Sequence, residues 1–314
     1  MDELAKLTAA ARAGSGPALN SLGLMALKGD GVPKNPAKAI DCFRRGAELG
    51  HVDCQFNLAV CHLEGEAVPR DMAMAHQWML KAAEQGYAAA QYNLGAMLMQ
   101  GAMGTRDAAV AISWWNKAAE QNEPNALYEL GQCLRMGEDV ARDELMAISC
   151  YRRAADLGHR QATFSLALML EHGFLGQPGD PANAARWYSQ AAAKGHPGAS
   201  HNLGILHAAG NGAGHEADTA KGLFDYAVGC GEDSAMFSLG LLLYRGGPGL
   251  APDLVEACKW ALLSLRHCPE GNAQKLLDAL GPHLSAGQLD EARGRAARWQ
   301  RESKPLLWVV RNAG

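Results

Sequence analysis

The sequence predicts an all-α solenoid of seven helix pairs closed by terminal capping helices. The first observation is a period. Leu22, Leu58, Leu94, Leu130, Leu166, Leu203 and Leu239 follow at intervals of 36, 36, 36, 36, 37 and 36 residues. Periods in this range mean stacked repeat units. The second is that each Leu keeps the same companions. Four residues earlier stands Ala18, Cys54, Ala90, Ala126, Ala162, Ala199 or Ala235, and one residue later Gly23, Ala59, Gly95, Gly131, Ala167, Gly204 or Gly240. Strand-like alternation is absent.

Each unit reads as two antiparallel helices. Helix A runs through the Leu and stops at a glycine seven residues on: Gly29, Gly65, Gly101, Gly137, Gly173, Gly210 or Gly246. Glycine takes the left-handed C-terminal conformation without a Cβ penalty. An acid or amide then caps helix B: Asn35, Asp71, Asp107, Asp143, Asp180, Glu216 or Asp253. Pro36 and Pro181 follow their caps, where a missing N–H costs nothing. Helix B ends at Gly50, Gly86, Asn122, Gly158, Gly195 or Gly231. Small residues such as Gly95 and the Ala118–Ala119 pair are expected to let backbones approach. One pair alone has too little core and must bury its apolar face on the next.

In chain order, residues 1–16 form an N-terminal cap, a lone helix B over 3–14. Residues 17–268 hold the seven pairs. The linkers 173–180 and 246–253 are one residue longer than the others. Residues 269–303 are C-terminal caps. The first is a short helix over 272–280. Ser285 and Gln288 then form a capping box that opens a helix to about Ser303. Residues 304–314, with Leu306 to Val310, are an apolar tail expected to fold back on the last helices.

These motifs resemble the Sel1-like repeat family, a relative of the tetratricopeptide repeat, in its bacterial form. The resemblance covers about residues 17–268. The departures are Ala59 and Ala167 for Gly, Glu216 for Asp, and Val228, Ser264 and Leu265 in the Ala-Ala pair. The resemblance implies a right-handed α/α superhelix that serves as a protein-interaction scaffold.

Charged residues are 20% of the chain and the formal net charge is −4, so no strong field favours nucleic acid or an acidic membrane. Two acids precede any apolar run at the N-terminus, unlike a secretory signal. No apolar run approaches the ~20 residues that span a bilayer. The eight cysteines do not recur at one repeat position. Free thiols in a reducing cytoplasm are expected.

No HExxH, GxxxxGK[ST], GxSxG or CxxC motif is present. The glycine-rich run 210–214 reads as an interhelix turn. Cys54 and Cys61 are roughly 10 Å apart along one helix, too far for a disulfide or a shared zinc. His62 and His207 replace Leu at one repeat position and read as core histidines. No catalytic residue, metal site or cofactor is expected.

Two columns on helix A are more informative. Two residues before each Leu stand Asn20, Phe56, Tyr92, Tyr128, Phe164, His201 and Phe237. The next column is Ser21, Asn57, Asn93, Glu129, Ser165, Asn202 and Ser238. In tetratricopeptide-like solenoids helix A lines the concave face. The expected partner-binding residues are Asn57, Tyr92, Asn93, Tyr128, Arg135, Phe164, Asn202 and Tyr244. On helix B, Trp78, Trp114, Trp187 and Trp260 read as a core stripe. Arg293, Arg295, Arg298 and Arg301 give the last helix a basic face.

The reading is a non-catalytic, cytoplasmic adaptor for a peptide or protein of unknown identity, monomeric or weakly dimeric. It binds no nucleic acid and does not insert into a membrane. A regulatory module of a neighbouring enzyme shares this chemistry. A secreted binder of cell-wall or β-lactam compounds is the rival that regular disulfides would favour.

Overall fold

A computed structural model describes residues 3–300 apart from 66, 103 and 270. The described residues form α-helices and no named strand. They divide into two compact units, Met1–Leu157 and Gly158–Gly314. The first opens on α1 (Glu3–Arg12). Four hairpins follow: α2 (Gly16–Lys28) with α3 (Pro36–Glu48), α4 (Val52–Glu64) with α5 (Met72–Glu84), α6 (Ala88–Met99) with α7 (Ala108–Glu120), and α8 (Pro124–Met136) with α9 (Glu144–Asp156). The second unit pairs α10 (Arg160–His172) with α11 (Pro181–Ala193), α12 (Pro197–Ala209) with α13 (Ala217–Gly229), and α14 (Ser234–Arg245) with α15 (Leu254–His267). It closes with α16 (Ala273–Leu280), a 3-10 turn at Gly281–His283, and α17 (Ala286–Arg298). This is the expected architecture, an all-α solenoid of seven hairpins between capping helices.

Six of the seven linkers are fastened twice. The Asp71 side chain accepts from the N–H groups of Ala73 and Met74, and its own N–H donates to the His62 carbonyl at the end of α4. Asn35, Asp107, Asp143, Asp180 and Asp253 cap their helices likewise. Glu216 does not, against expectation. Its longer side chain overshoots the free N–H groups and accepts from the Thr219 hydroxyl instead, at 3.0 Å. The two longer linkers also depart. Gly173 and Gly246 keep positive φ (77° and 67°) but with ψ of 170° and −163°. That region is essentially glycine's alone, and it aims the chain into the extra residue.

The core has a column that the sequence reading passed over. One residue after the tryptophan positions, Phe43, Met79, Trp115, Tyr151, Tyr188 and Phe224 are 0–3% exposed. Burying each contributes about 1.5–3 kcal/mol. In the first, third, fourth and sixth hairpins the residue after the repeat Leu is a glycine that leaves room for this ring, whereas the fifth combines Ala167 with Tyr188. A Cβ on Gly23 would lie 2.4 Å from Phe43, and one on Gly131 2.7 Å from Tyr151. In the last hairpin the ring is replaced by Ala261, and Leu276 of α16 closes over Gly240.

The tryptophan stripe is correspondingly less buried than expected. Trp78, Trp114 and Trp187 are half-buried, and only Trp260 is buried. Lys81 and Lys117 set their ammonium groups 4.1 and 3.9 Å from the ring centroids of Trp78 and Trp114. Such a cation over a ring face is attractive.

Polar side chains tie neighbouring hairpins together. Buried Gln55 and Gln91 donate to the Ala47 and Ala83 carbonyls at the ends of the preceding B helices. Gln85 and Gln121 donate in turn to Gln55 and Gln91, at 2.7 and 2.8 Å.

At the C-terminal end, Ser285 and Gln288 form the capping box that opens α17. The helix stops at Arg298, short of the expected Ser303. Trp299 turns extended there, and its ring meets Trp260 edge-on at 5.7 Å. The basic face is partly neutralised by the protein itself. Arg293 pairs with Asp290, and Arg295 with Glu291 and Glu256. Arg301 and the apolar tail Leu306–Val310 lie outside the described residues.

Candidate interaction face

The residues of the two helix-A columns are half-buried. They stand one and two residues before a buried Leu. At 100° per residue, that places them at the edge of the packed stripe. The five expected binding residues Asn57, Tyr92, Asn93, Tyr128 and Arg135 belong to the first unit. Phe164, Asn202 and Tyr244 belong to the second.

In the first unit the amides already use part of their capacity. Asn57 donates to the Asn20 side chain of the preceding hairpin at 2.6 Å. Asn93 donates to the Ala89 carbonyl of its own helix at 2.7 Å. An amide offers two N–H donors and a carbonyl oxygen, so each keeps a donor and an acceptor. Tyr92 and Asn93 line an open cavity of about 700 Å³ together with Leu63, Arg70, Met97 and Gln100. Trp115 donates its indole N–H to the Tyr92 carbonyl at 3.1 Å, fixing α6 against α7.

Tyr128 packs its ring 6.0 Å from Tyr151. The Tyr151 hydroxyl donates to Gln132, which also accepts from Arg135 at 3.4 Å. Burial pushes the Tyr151 phenol up to about 12, although Arg135 beside it favours the phenolate. Arg135 itself is exposed.

Glu129 is the neighbour that sequence reading left unweighted. It is half-buried, and among the described residues it has no ion pair or hydrogen bond. Burial raises its pKa. Burial also raises the pKa of Tyr92, helped by the charges of Glu129 and Glu123.

In the second unit the expected residues are committed to the fold. Phe164 stacks on His196 with centroids 4.2 Å apart. Asn202 donates to the Tyr188 hydroxyl at 3.0 Å, and that hydroxyl donates to Glu171 at 2.5 Å. Tyr244 is half-buried against the last core cluster. His201 bonds Ser238 of the next hairpin at 2.8 Å. His62 and His207 are not core residues. Both are half-buried, and His207 Nδ1 donates at the linker to the Gly214 carbonyl oxygen, at 2.9 Å. That carbonyl is an acceptor, so Nδ1 carries the proton.

Among the described residues, no three His, Cys, Asp or Glu side chains gather to hold a metal. No described helix is long and apolar enough to cross a membrane.

The Sel1 repeat model matches residues 16–51, 52–87, 88–123, 124–159, 160–196 and 233–266, well over half of the chain. The hairpin between the last two matches, α12–α13, is the one with the uncapped Glu216. Among solved structures, a protective antigen of uropathogenic Escherichia coli strains, displaying an SLR fold, superposes with a TM-score of 0.82 at 29% identity. That match covers 96% of this chain and 64% of the antigen, so the chain spans less than two thirds of that protein. A Sel1 repeat protein from Oxalobacter formigenes gives a TM-score of 0.68 at 29% identity, over 79% of this chain and 99% of that one. No curated protein matches the sequence. With six matched segments and a stack of helical hairpins, the chain belongs to the Sel1 repeat family.

Proposed function

We propose that the chain is a non-catalytic scaffold that binds an extended peptide or protein surface on the helix-A face of its first unit. Sel1 repeats generally mediate protein–protein interactions. The observation that carries the finer reading is the groove lined by Tyr92 and Asn93, with Asn57 and Tyr128 at the corresponding columns of the neighbouring A helices. Packed helices lie roughly 8–10 Å apart, and three extended residues span about 10 Å. Successive amides therefore match alternate stretches of one peptide backbone. Glu129, half-buried and without an ion pair among the described residues, favours a basic residue in that peptide. We place the protein in the cytoplasm, a reading supported by eight cysteines that are all free thiols.

Affinity purification from the native host identifies the partner, and isothermal titration with it tests the face. Each amide bond contributes only about 0.5–1.5 kcal/mol. Asn57→Ala with Asn93→Ala is expected to weaken binding roughly ten- to a hundredfold. Arg293→Ala with Arg298→Ala is expected to leave it unchanged. The reverse pattern would move the contact to α17 and end this reading.

A further inference from the structure

The tryptophan positions of helix B read Cys42, Trp78, Trp114, Cys150, Trp187, Leu223 and Trp260 along the chain. Trp78 packs against the core clusters on both sides of it. At α9 the residue is Cys150, and the space stays open. A cavity of about 320 Å³ lies there, walled by Ile112, Leu127, Leu134, Val140 and Met146. We infer that this cavity is a slot for the indole of a tryptophan presented by a partner protein.

Three observations choose that occupant. The first is shape, since sister positions on α5 and α7 hold an indole. The second is charge. Lys81 and Lys117, three residues after their tryptophans, stand over the rings. Arg153, three residues after Cys150, lines the cavity and is held at its mouth by bonds to the Ala119 carbonyl and Asn122 Oδ1, both 2.9 Å. The cation is thus kept although the ring is missing, and a guanidinium prefers an aromatic face to an aliphatic one. Asn116 and Glu120, also at the lining, offer oxygens to an indole N–H. The third is the rim. Met146, which lines the cavity, is 52% exposed. A free small aromatic would leave that apolar rim in water, whereas a protein surface covers it. Met146 is an adaptable side chain of the kind used at such surfaces. This slot lies on helix B and stands independently of the helix-A reading.

The probe is N-acetyl-tryptophanamide, titrated into methyl-labelled full-length protein and followed by NMR. The methyls of Met146 and Ile112 are expected to show upfield ring-current shifts, with a dissociation constant on the order of millimolar. N-acetyl-leucinamide at the same concentration is expected to leave them in place. The first hairpin carries a similar pair, Cys42 and Arg45, so these two methyls assign the site to the fourth. Cys150→Trp is expected to abolish the shifts and to raise the melting midpoint by about 2–4 °C. Cys150→Leu gives the same direction with less strain should the indole variant fold poorly. Arg153→Gln is expected to weaken binding roughly two- to fivefold. Asn57→Ala with Asn93→Ala is expected to change nothing here, which separates this result from the fate of the helix-A face. The inference falls if the two methyls do not move, if leucinamide moves them equally, or if Cys150→Trp and Cys150→Leu both lower the midpoint. Native mass spectrometry of host-purified protein that finds a retained aromatic small molecule would overturn a protein as the occupant.

Discussion

Gly95→Ala adds one methyl at a position that the third hairpin cannot spare. The new Cβ would lie 2.5 Å from Trp115 Nε1, 2.6 Å from its Cδ1 and 3.0 Å from the Ala111 carbonyl oxygen. The ring is 3% exposed and tied to the Tyr92 carbonyl, so it has no free direction in which to give. Overpacking of this kind costs about 1–3 kcal/mol. Disturbing the indole hydrogen bond adds about 0.5–1.5 kcal/mol. Alanine gains back about 0.5–1 kcal/mol of helix propensity over glycine. The net expectation is a loss of about 1–3 kcal/mol, read as a lower urea midpoint. The second hairpin supplies the control, because Ala59 there faces the slimmer Met79, and both are buried. In a Trp115→Met background, Gly95→Ala should therefore be neutral or mildly stabilising. A double-mutant cycle isolates that coupling. Equal cost in both backgrounds would refute the argument that this glycine exists for the ring.

Three further outcomes follow from the same geometry. Asp107→Ala should cost about 1 kcal/mol in urea denaturation, whereas Glu216→Ala should cost almost nothing because it caps no N–H; equal costs would contradict the cap assignment. His196 Nδ1 accepts from the Ala199 N–H and Nε2 donates to Gln161, so the ring is neutral, and burial foremost, with Arg160, lowers its pKa. The folded state then binds fewer protons than the unfolded one. Its contribution is complete above an unfolded pKa of about 6.5 and is lost as pH falls through the depressed value. The midpoint should drop between pH 7.5 and 5, and His196→Asn should flatten that drop; a rise on acidification would be the wrong sign. All eight thiols should react after denaturation without prior reduction, and a missing pair would reveal a disulfide.

The hairpins were legible because a stack writes the same packing problem into the chain seven times. The Leu, the glycine and the cap answer local demands, so they recur where those demands recur. What failed to read was phase. Trp114 and Trp115 are adjacent and both apolar, and only the geometry says that the second faces the glycine. Asn57 looked free for a ligand, but the stagger between hairpins brings Asn20 within 2.6 Å. Asn202 was equally invisible as the support of a tyrosine hydroxyl. Glu216 failed as a cap through a single extra methylene.

A pile built by one rule has no natural last member, and α17 supplies one. Only Ala292 and Ala296 of that helix are buried as the inner contacts, while its outward side is nearly all charged or polar. It packs on α15, whose Cys258 and Trp260 share its core cluster, the side on which another hairpin would sit. The charged helix thus turns an apolar face into a wettable one, and its loss would be expected to lower solubility by baring that face to water.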